Sequence, residues 1–256
     1  MKKKNNTFKN SHPRILTAIP VFNEYQYVSH VVSAVRQFTD NILVIDDGST
    51  DGSEIWISNC PFIRKVIHPG NQGYGQSIID AIDYAQKNNF NWLITLDCDY
   101  QHQPEYISSF YDEIKKGNCD LISGSRYLTT ENKGRFAPPA DRLTINKRIT
   151  ALLNCWFNLN ITDAFCGFKA YKLTSLSKLN LTEKGYAMPL QLWIQAAGEK
   201  LRITEIKVPL IYHDTKRNFA GELENPVCRM NYYMQTIIKE LFNYENKNTP
   251  AIRNTI

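Results

Sequence analysis

A single α/β domain, with helices on both faces of a mainly parallel sheet, is the fold class predicted for this chain of 256 residues. Three observations predict it. Short apolar runs alternate with stretches of helical spacing, in the order expected of repeated strand–helix units. The turns between them carry Gly, Pro, Asp and Ser, which punctuate such units. No break in composition divides the chain, and 43% hydrophobic with 21% charged residues is an ordinary globular balance.

Taken in order, residues 15–20 read as a short buried strand. Residues 25–38 follow with apolar positions at Tyr27, Val28, Val31, Val32, Val35 and Phe38, a helical spacing. "NILVIDDGSTDGSEIWI" repeats the unit: a strand over 42–45, an acidic turn, and a helix for which Asp51 or Ser53 can serve as cap. "FIRKVIH" is a third strand, followed by a Gly-containing turn over 69–75 and a helix over 78–86. "NWLITL" is a fourth, followed by a helix that Pro104 opens.

"CDLISGSRY" supplies another strand, after which "LTTENKGRFAPPAD" loses periodicity and is expected to be a mobile loop. A helix over 143–159, a strand in "CGFKAYKL", a helix over 186–197 entered through Pro189, and a strand over 201–211 come next. "DTKRNFAGELENP" is a second loop. An amphipathic helix over 227–242 then carries Val227, Met230, Tyr233, Met234, Ile237, Ile238 and Leu241 on one broad face, read as core packing, with a membrane-surface or dimer face as the alternative. The domain is expected over 14–245, with a disordered basic tail over 1–13 and a flexible tail over 246–256.

The formal net charge of +5 is modest, and apart from Lys2, Lys3 and Lys4 the basic residues are scattered, so nothing calls for nucleic acid. The longest apolar runs are too short to span a bilayer. A cytoplasmic protein, in at most peripheral contact with the membrane face, is expected. Six cysteines without a close C-x-x-C pair read as small core residues in a reducing compartment.

The chemistry gathers where strands end. Asp46, Asp47, Asp97 and Asp99 all fall at predicted carboxyl ends, where ligands bind in sheets of this kind. In "ITLDCDYQHQPE" the side chains of Asp97 and Asp99 point the same way, because side chains alternate along an extended segment. Two like charges so placed repel unless a cation lies beside them. Mg²⁺ or Mn²⁺ is the natural candidate, held by one or two carboxylates and by the phosphate oxygens of a substrate. Gln101, two residues on, is a neutral helper, and a diphosphate ligand is implied.

The ordered set "PVFNE", "VIDDGSTDGS", "GNQGYG", "DCDYQHQPE" and "GSRY" resembles the family 2 glycosyltransferases of GT-A fold, most closely the polyprenyl-phosphate group that includes the dolichyl-phosphate mannosyltransferase-like enzymes. The resemblance spans about residues 14–215. It implies that Pro20, Phe22 and Glu24 border the nucleotide, that Asp47 reads the nucleobase or ribose, and that Gly73 is a close-approach glycine. It implies that Asp97, Asp99 and Gln101 serve the metal and diphosphate. Arg126 and Arg142 are expected near the acceptor or phosphates, and Asp163, Gly167 and Phe168 at the sugar pocket. Lys169 is read as a solvated strand residue. The donor implied is a UDP- or GDP-sugar.

Relatives that glycosylate hydroxyls commonly carry an acidic base at the start of a late helix. Here that stretch offers Met188, Pro189 and Gln191 instead. A phosphate acceptor needs no such base. It needs cations, for which Arg126, Arg142 and Arg217 are candidates. The expected reaction is therefore inverting transfer of a sugar to a polyprenyl phosphate. The alternatives are a glycan or other hydroxyl acceptor with Asp163 or Asp214 as base, a sugar nucleotidyltransferase, a silent nucleotide-sugar binder and a phospho-receiver domain. The last is about half this length and has no use for D-x-D followed by Gln.

Overall fold

The structure, a computed structural model, describes residues 13–99, 101–129, 138–211 and 221–248. β1 (Ile15–Val21) leads into α1 (Tyr25–Arg36), β2 (Ile42–Asp46) into α2 (Ser53–Asn59), and β3 (Arg64–Ile67) into α3 (Tyr74–Lys87). β4 (Trp92–Thr95) passes through a single 3-10 turn into α4 (Ile107–Lys116). β5 (Leu121–Ser125), α5 (Ala140–Phe157), β6 (Lys169–Lys172), the one-turn α6 (Leu173–Leu176), α7 (Met188–Gly198), β7 (Ile203–Lys207), a second 3-10 turn (Gly221–Glu224) and α8 (Pro226–Asn248) complete the described elements.

The strands form one sheet in the order β3-β2-β1-β4-β6-β5-β7. Every ladder is parallel except the two made by β6, which runs against both β4 and β5. Alternation along each strand divides the core in two. Leu16 and Ala18 of β1, with Leu43 and Ile45 of β2, pack beneath α3, α5, α7 and α8, whereas Ile19, Val21, Ile42 and Val44 pack beneath α1, α2 and α4. In α1 the positions Val28, Val31, Val32 and Val35 are all buried, each contributing about 1.5–3 kcal/mol of transfer free energy.

The connections run outward from β1 through β2 to β3, and the chain then returns to the other side of β1 to add β4. That reversal opens a crevice at the carboxyl ends of β1 and β4.

Several expectations need correction. The last helix is longer than its apolar stripe and runs to residue 248, into the expected tail. Tyr233 and Ile237 of the stripe join the core, while Val227 and Ile238 are exposed. Lys169 is not solvated. β6 lies inside the sheet, and α7 covers that face, so the Lys169 ammonium is buried, donates to the Cys166 carbonyl and lies 5.3 Å from the centre of the Trp193 ring. Burial lowers its pKa. All six cysteines are free; Cys60, Cys98, Cys119 and Cys166 are buried as expected, but Cys155 and Cys228 are exposed. The core of the loop expected over 128–141 and most of that expected over 214–226 lie outside the described residues. Among the described residues no helix is long and apolar enough to cross a membrane.

Candidate active site

The turns after β1 and β2 are stapled together. Asn23, at φ 56°, donates its N–H to Ser49 Oγ (3.0 Å), and its side-chain oxygen accepts the Thr50 N–H (2.9 Å). Asp51 Oδ2 accepts the Tyr25 N–H (2.9 Å) and Oδ1 accepts the Ser53 N–H (3.0 Å), so Asp51 ties the two turns and starts α2. Burial pushes its pKa up, but the Ser53 hydroxyl, donating to Oδ1 at 2.6 Å, and the backbone N–H groups outweigh that and lower it. This brings Pro20, Phe22 and Glu24 to one side of the crevice.

Asp47 is buried and holds the turn after β3. Its Oδ1 accepts the Gln72 N–H (2.8 Å) and faces His68 Nδ1 (2.7 Å); its Oδ2 accepts the Gly73 N–H (2.9 Å). Gly73 has φ +104°, and a Cβ there would collide with the Lys184 carbonyl. Only glycine lets these two segments meet.

Asp97, Asp99 and Gln101 line the crevice together, but Cys98 lines it too and the chain bends at residues 98 and 99, so a turn beyond β4 rather than strand alternation gathers them. Asp97 Oδ2 lies 3.2 Å from His102 Nε2, and His102 packs against Phe168 with ring centres 5.4 Å apart. Burial pushes the Asp97 pKa up, but the hydrogen bond and charge of His102 overcome it and hold Asp97 in its ionised form. Asp99 goes the other way. Burial, followed by the charge of Asp97, raises it to about 6. A Cβ at Gly167 would strike both oxygens of Asp97, so Gly167 makes room for that carboxylate rather than meeting the sugar.

The site accommodates a divalent cation on one specific ground: Asp97 Oδ1 is buried and has no hydrogen-bond partner. Among the described residues no group of three or more His, Cys, Asp or Glu could hold a metal unaided. Such a cation would have to share its coordination with a ligand, as Mg²⁺ and Mn²⁺ do with phosphates.

The opposite wall comes from β5, α5, α7 and α8. Arg126 lies in the lining, gripped from behind by Asp163: Nε to Oδ2 at 2.6 Å and Nη2 to Oδ1 at 2.9 Å. Asn146 adds a bond to Oδ1 at 2.8 Å. Asp163 is fully buried and Phe168 lies in the core, so neither reaches the sugar pocket as expected; Asp163 orients Arg126. Burial would raise the Asp163 pKa, but the charge and hydrogen bonds of Arg126 prevail and hold it at about 2. A carboxyl that acidic is too weak a base for a hydroxyl. Arg142 also lines the crevice, and Arg217 and Asp214 lie outside the described residues.

Asp163→Asn is expected to cost about 3 kcal/mol, since it leaves Arg126 without its counter-charge. Calorimetric unfolding measures it. Because the folded pKa is depressed, the wild-type advantage is full above about pH 4 and fades as pH falls towards 2; a variant as stable as wild type at pH 7 would contradict the pairing.

The crevice encloses about 380 Å³, the size of a small-molecule site. The sequence profile of glycosyl transferase family 2 matches residues 17–179, most of the sheet and every turn just described. The chain belongs to glycosyl transferase family 2. This glycosyltransferase is 26% identical over 205 residues to polyprenol monophosphomannose synthase of Mycolicibacterium smegmatis, covering 76% of each chain. It is 25% identical over 207 residues to undecaprenyl-phosphate mannosyltransferase of Micrococcus luteus, covering 77% of this chain and 84% of the other. In fold it is similar to glucosyl-3-phosphoglycerate synthase of Mycobacterium tuberculosis, solved with Mn²⁺, UDP-glucose and phosphoglyceric acid. That match has TM-score 0.66 at 18% identity, and covers 91% of this chain and 79% of that one. The sheet with its helices on both faces is the GT-A arrangement. Membership displaces the phospho-receiver, nucleotidyltransferase and silent-binder readings.

Some lining residues of this glycosyltransferase carried no sequence signal. Arg229 reaches the crevice from α8 and pairs with Asp141 of α5 while donating to the Leu223 carbonyl (2.8 Å). Tyr74 and Tyr186 stack with centres 6.1 Å apart, far from each other in sequence. His102 was visible beside the D-x-D run, but its partner was not. Gln191, which stands in the stretch where relatives carry an acidic base, is structural: its Oε1 accepts the N–H groups of Thr182 (2.7 Å) and Glu183 (2.8 Å), and its Nε2 donates to Glu240 (2.8 Å).

Proposed function

We propose that this glycosyltransferase moves a sugar from a UDP- or GDP-sugar onto the phosphate of a polyprenyl lipid, with inversion at the anomeric carbon. One observation carries the reading. The carboxylates that line the crevice among the described residues are Glu24, Asp47, Asp97 and Asp99, all on the β1, β2 and β4 side, while the facing wall carries Arg126, Arg142 and Arg229 and no carboxylate. One side suits a nucleotide with its cation, and the other suits an anion that attacks unaided. The names of the two relatives, each at about a quarter identity, support the same acceptor.

In this reading Pro20, Phe22, Glu24, Asp47 and Gly73 receive the nucleoside part. Asp97 and Asp99, assisted by Gln101, hold Mg²⁺ or Mn²⁺, which when bound supplies positive charge to the departing diphosphate. Arg126 is kept in place by Asp163 and, with Arg142 and Arg229, orients the acceptor phosphate. An acceptor oxygen positioned behind the anomeric carbon displaces the nucleoside diphosphate from the opposite face, which inverts the sugar. Positioning supplies most of the rate. A lipid acceptor places the reaction at the cytoplasmic face of a membrane.

Calorimetry tests the donor half. UDP or GDP should bind at least about tenfold more tightly with Mn²⁺ than in EDTA. Equal affinity in the two buffers would remove the cation from the site.

A further inference from the structure

Behind the Asp47 end of the crevice, His68 is clamped between two carboxylates. It is 6% exposed, with Nδ1 2.7 Å from Asp47 Oδ1 and Nε2 2.9 Å from Asp80 Oδ2. Its N–H donates to the Asp46 carbonyl at 2.9 Å, which continues the ladder between β3 and β2. Asp80 lies on α3 and takes a further bond from Gln76 Nε2 at 3.1 Å. A chain of hydrogen bonds thus runs from the crevice lining through His68 into α3. Asp47 lines the crevice; His68 and Asp80 do not.

Counting lone pairs shows what this does to Asp47. Oδ1 has both acceptor positions filled, by His68 and by the Gln72 N–H, while Oδ2 takes the Gly73 N–H and keeps one. Three bonds in different directions leave the carboxylate no rotation. Asp47 lines the cavity beside Pro20, Val21 and Asn71, and that lone pair is the acceptor position it has left for a ligand. Removing His68 leaves Oδ1 with the Gln72 N–H alone and takes away the one side-chain bond that braces the carboxylate, so it is held less firmly about its Cβ–Cγ bond.

We propose that His68, braced by Asp80, is a positioning residue for donor binding that acts through the Asp47 carboxylate. The proposal rests on Asp47 facing the nucleoside part of the donor. Sheet geometry supports that division. The ends of β2 and β4 are separated by β1 and hence by about 10 Å, so Asp47 and the Asp97–Asp99 pair meet different halves of a nucleoside diphosphate.

The test compares ligands that share one half. Calorimetry with Mn²⁺ would titrate UDP, GDP and inorganic diphosphate into wild type, His68→Leu and Asp80→Asn. His68→Leu should weaken whichever nucleoside diphosphate binds wild type by about tenfold, the effect of one hydrogen bond to a charged group, and leave inorganic diphosphate within about twofold. Asp80→Asn should act in the same direction by about threefold. In turnover the donor KM should rise while kcat holds. In an Asp47→Ala background, His68→Leu should add nothing, because its route of action is gone. Unchanged nucleoside diphosphate affinity, a parallel loss of inorganic diphosphate, or additive effects in the double variant would each overturn the proposal. Should His68→Leu not fold, Asp80→Asn decides by the same comparison. If wild type binds inorganic diphosphate with Mn²⁺ but neither nucleoside diphosphate, the donor reading itself fails and this proposal with it.

Discussion

Asp99→Asn is expected to cut sugar transfer by about 10²- to 10³-fold, the size of effect seen when one fixed charge aimed at a developing anion is lost. The same change should leave the metal-free protein at least as stable as wild type. Asp97 and Asp99 both line the crevice just beyond β4, Asp97 Oδ1 has no hydrogen-bond partner, and burial with the Asp97 charge raises Asp99 to about 6. The sign follows from that rise. Between about pH 4 and pH 6 the folded state keeps a proton that the unfolded chain has released, so stability declines as pH rises through this window and the ionised pair remains a cost above it.

Asparagine removes that cost, on the order of 3 kcal/mol. A chain of this length would gain roughly 2–4 °C in melting temperature for each kcal/mol. Added Mn²⁺ with nucleoside diphosphate should then reverse the order, because only wild type gains the binding free energy. Scanning calorimetry in EDTA and in Mn²⁺ reads both halves, and a radiolabelled transfer assay reads the activity. Turnover within tenfold of wild type, or the same Mn²⁺-linked shift in both proteins, would remove Asp99 from the cation site.

Polyprenyl phosphate should accept sugar, whereas the corresponding polyprenol and free glycans should not. The reason is the cost of making the nucleophile. A hydroxyl has a pKa of roughly 16, while a phosphate monoester releases its second proton near pH 6. At about 1.4 kcal/mol per unit, the hydroxyl costs on the order of 12 kcal/mol more to ionise at neutral pH. A protein that used a hydroxyl would have to place a base opposite the donor. The wall from β5 to α8 places three arginines there instead, and Asp163 behind them is held at about 2. Arg142→Ala should raise the KM for polyprenyl phosphate about tenfold while the donor KM stays level, as expected on losing one charge-assisted contact. Matched assays on the phosphate, the alcohol and an oligosaccharide decide it. Efficient transfer to either hydroxyl acceptor would overturn the lipid-phosphate reading.

Much of the crevice wall beyond β1, β2 and β4 was legible because its residues are close in sequence. Asp97, Asp99 and Gln101 lie within five residues of one another just beyond β4 and all line the crevice, although bends rather than the expected extended segment bring them there. Asp47 and Gly73 sit in turns whose composition marks them. What was not legible depended on residues distant along the chain. "GSRY" and "DAFCGF" both attracted notice as ligand segments, yet Asp163 turned out to grip Arg126 across 37 residues and to lie out of the substrate's reach. Lys169 looked polar and therefore solvated, but its strand was inserted between β4 and β5, where a backbone carbonyl and an indole face meet the ammonium.

By itself, then, the sequence determined the strand–helix alternation, the turns at which ligands gather and the paired carboxylates that call for a cation. These depend on backbone period and turn chemistry within a few residues. Only the tertiary structure decided that β6 runs antiparallel, that α8 delivers Arg229 beside Arg142, and that His68 bridges Asp47 to α3. The physical reason is that hydrogen bonds and ion pairs between distant segments are chosen by packing, by which buried polar group lies within about 3 Å of another once the core has closed. No local pattern encodes that distance.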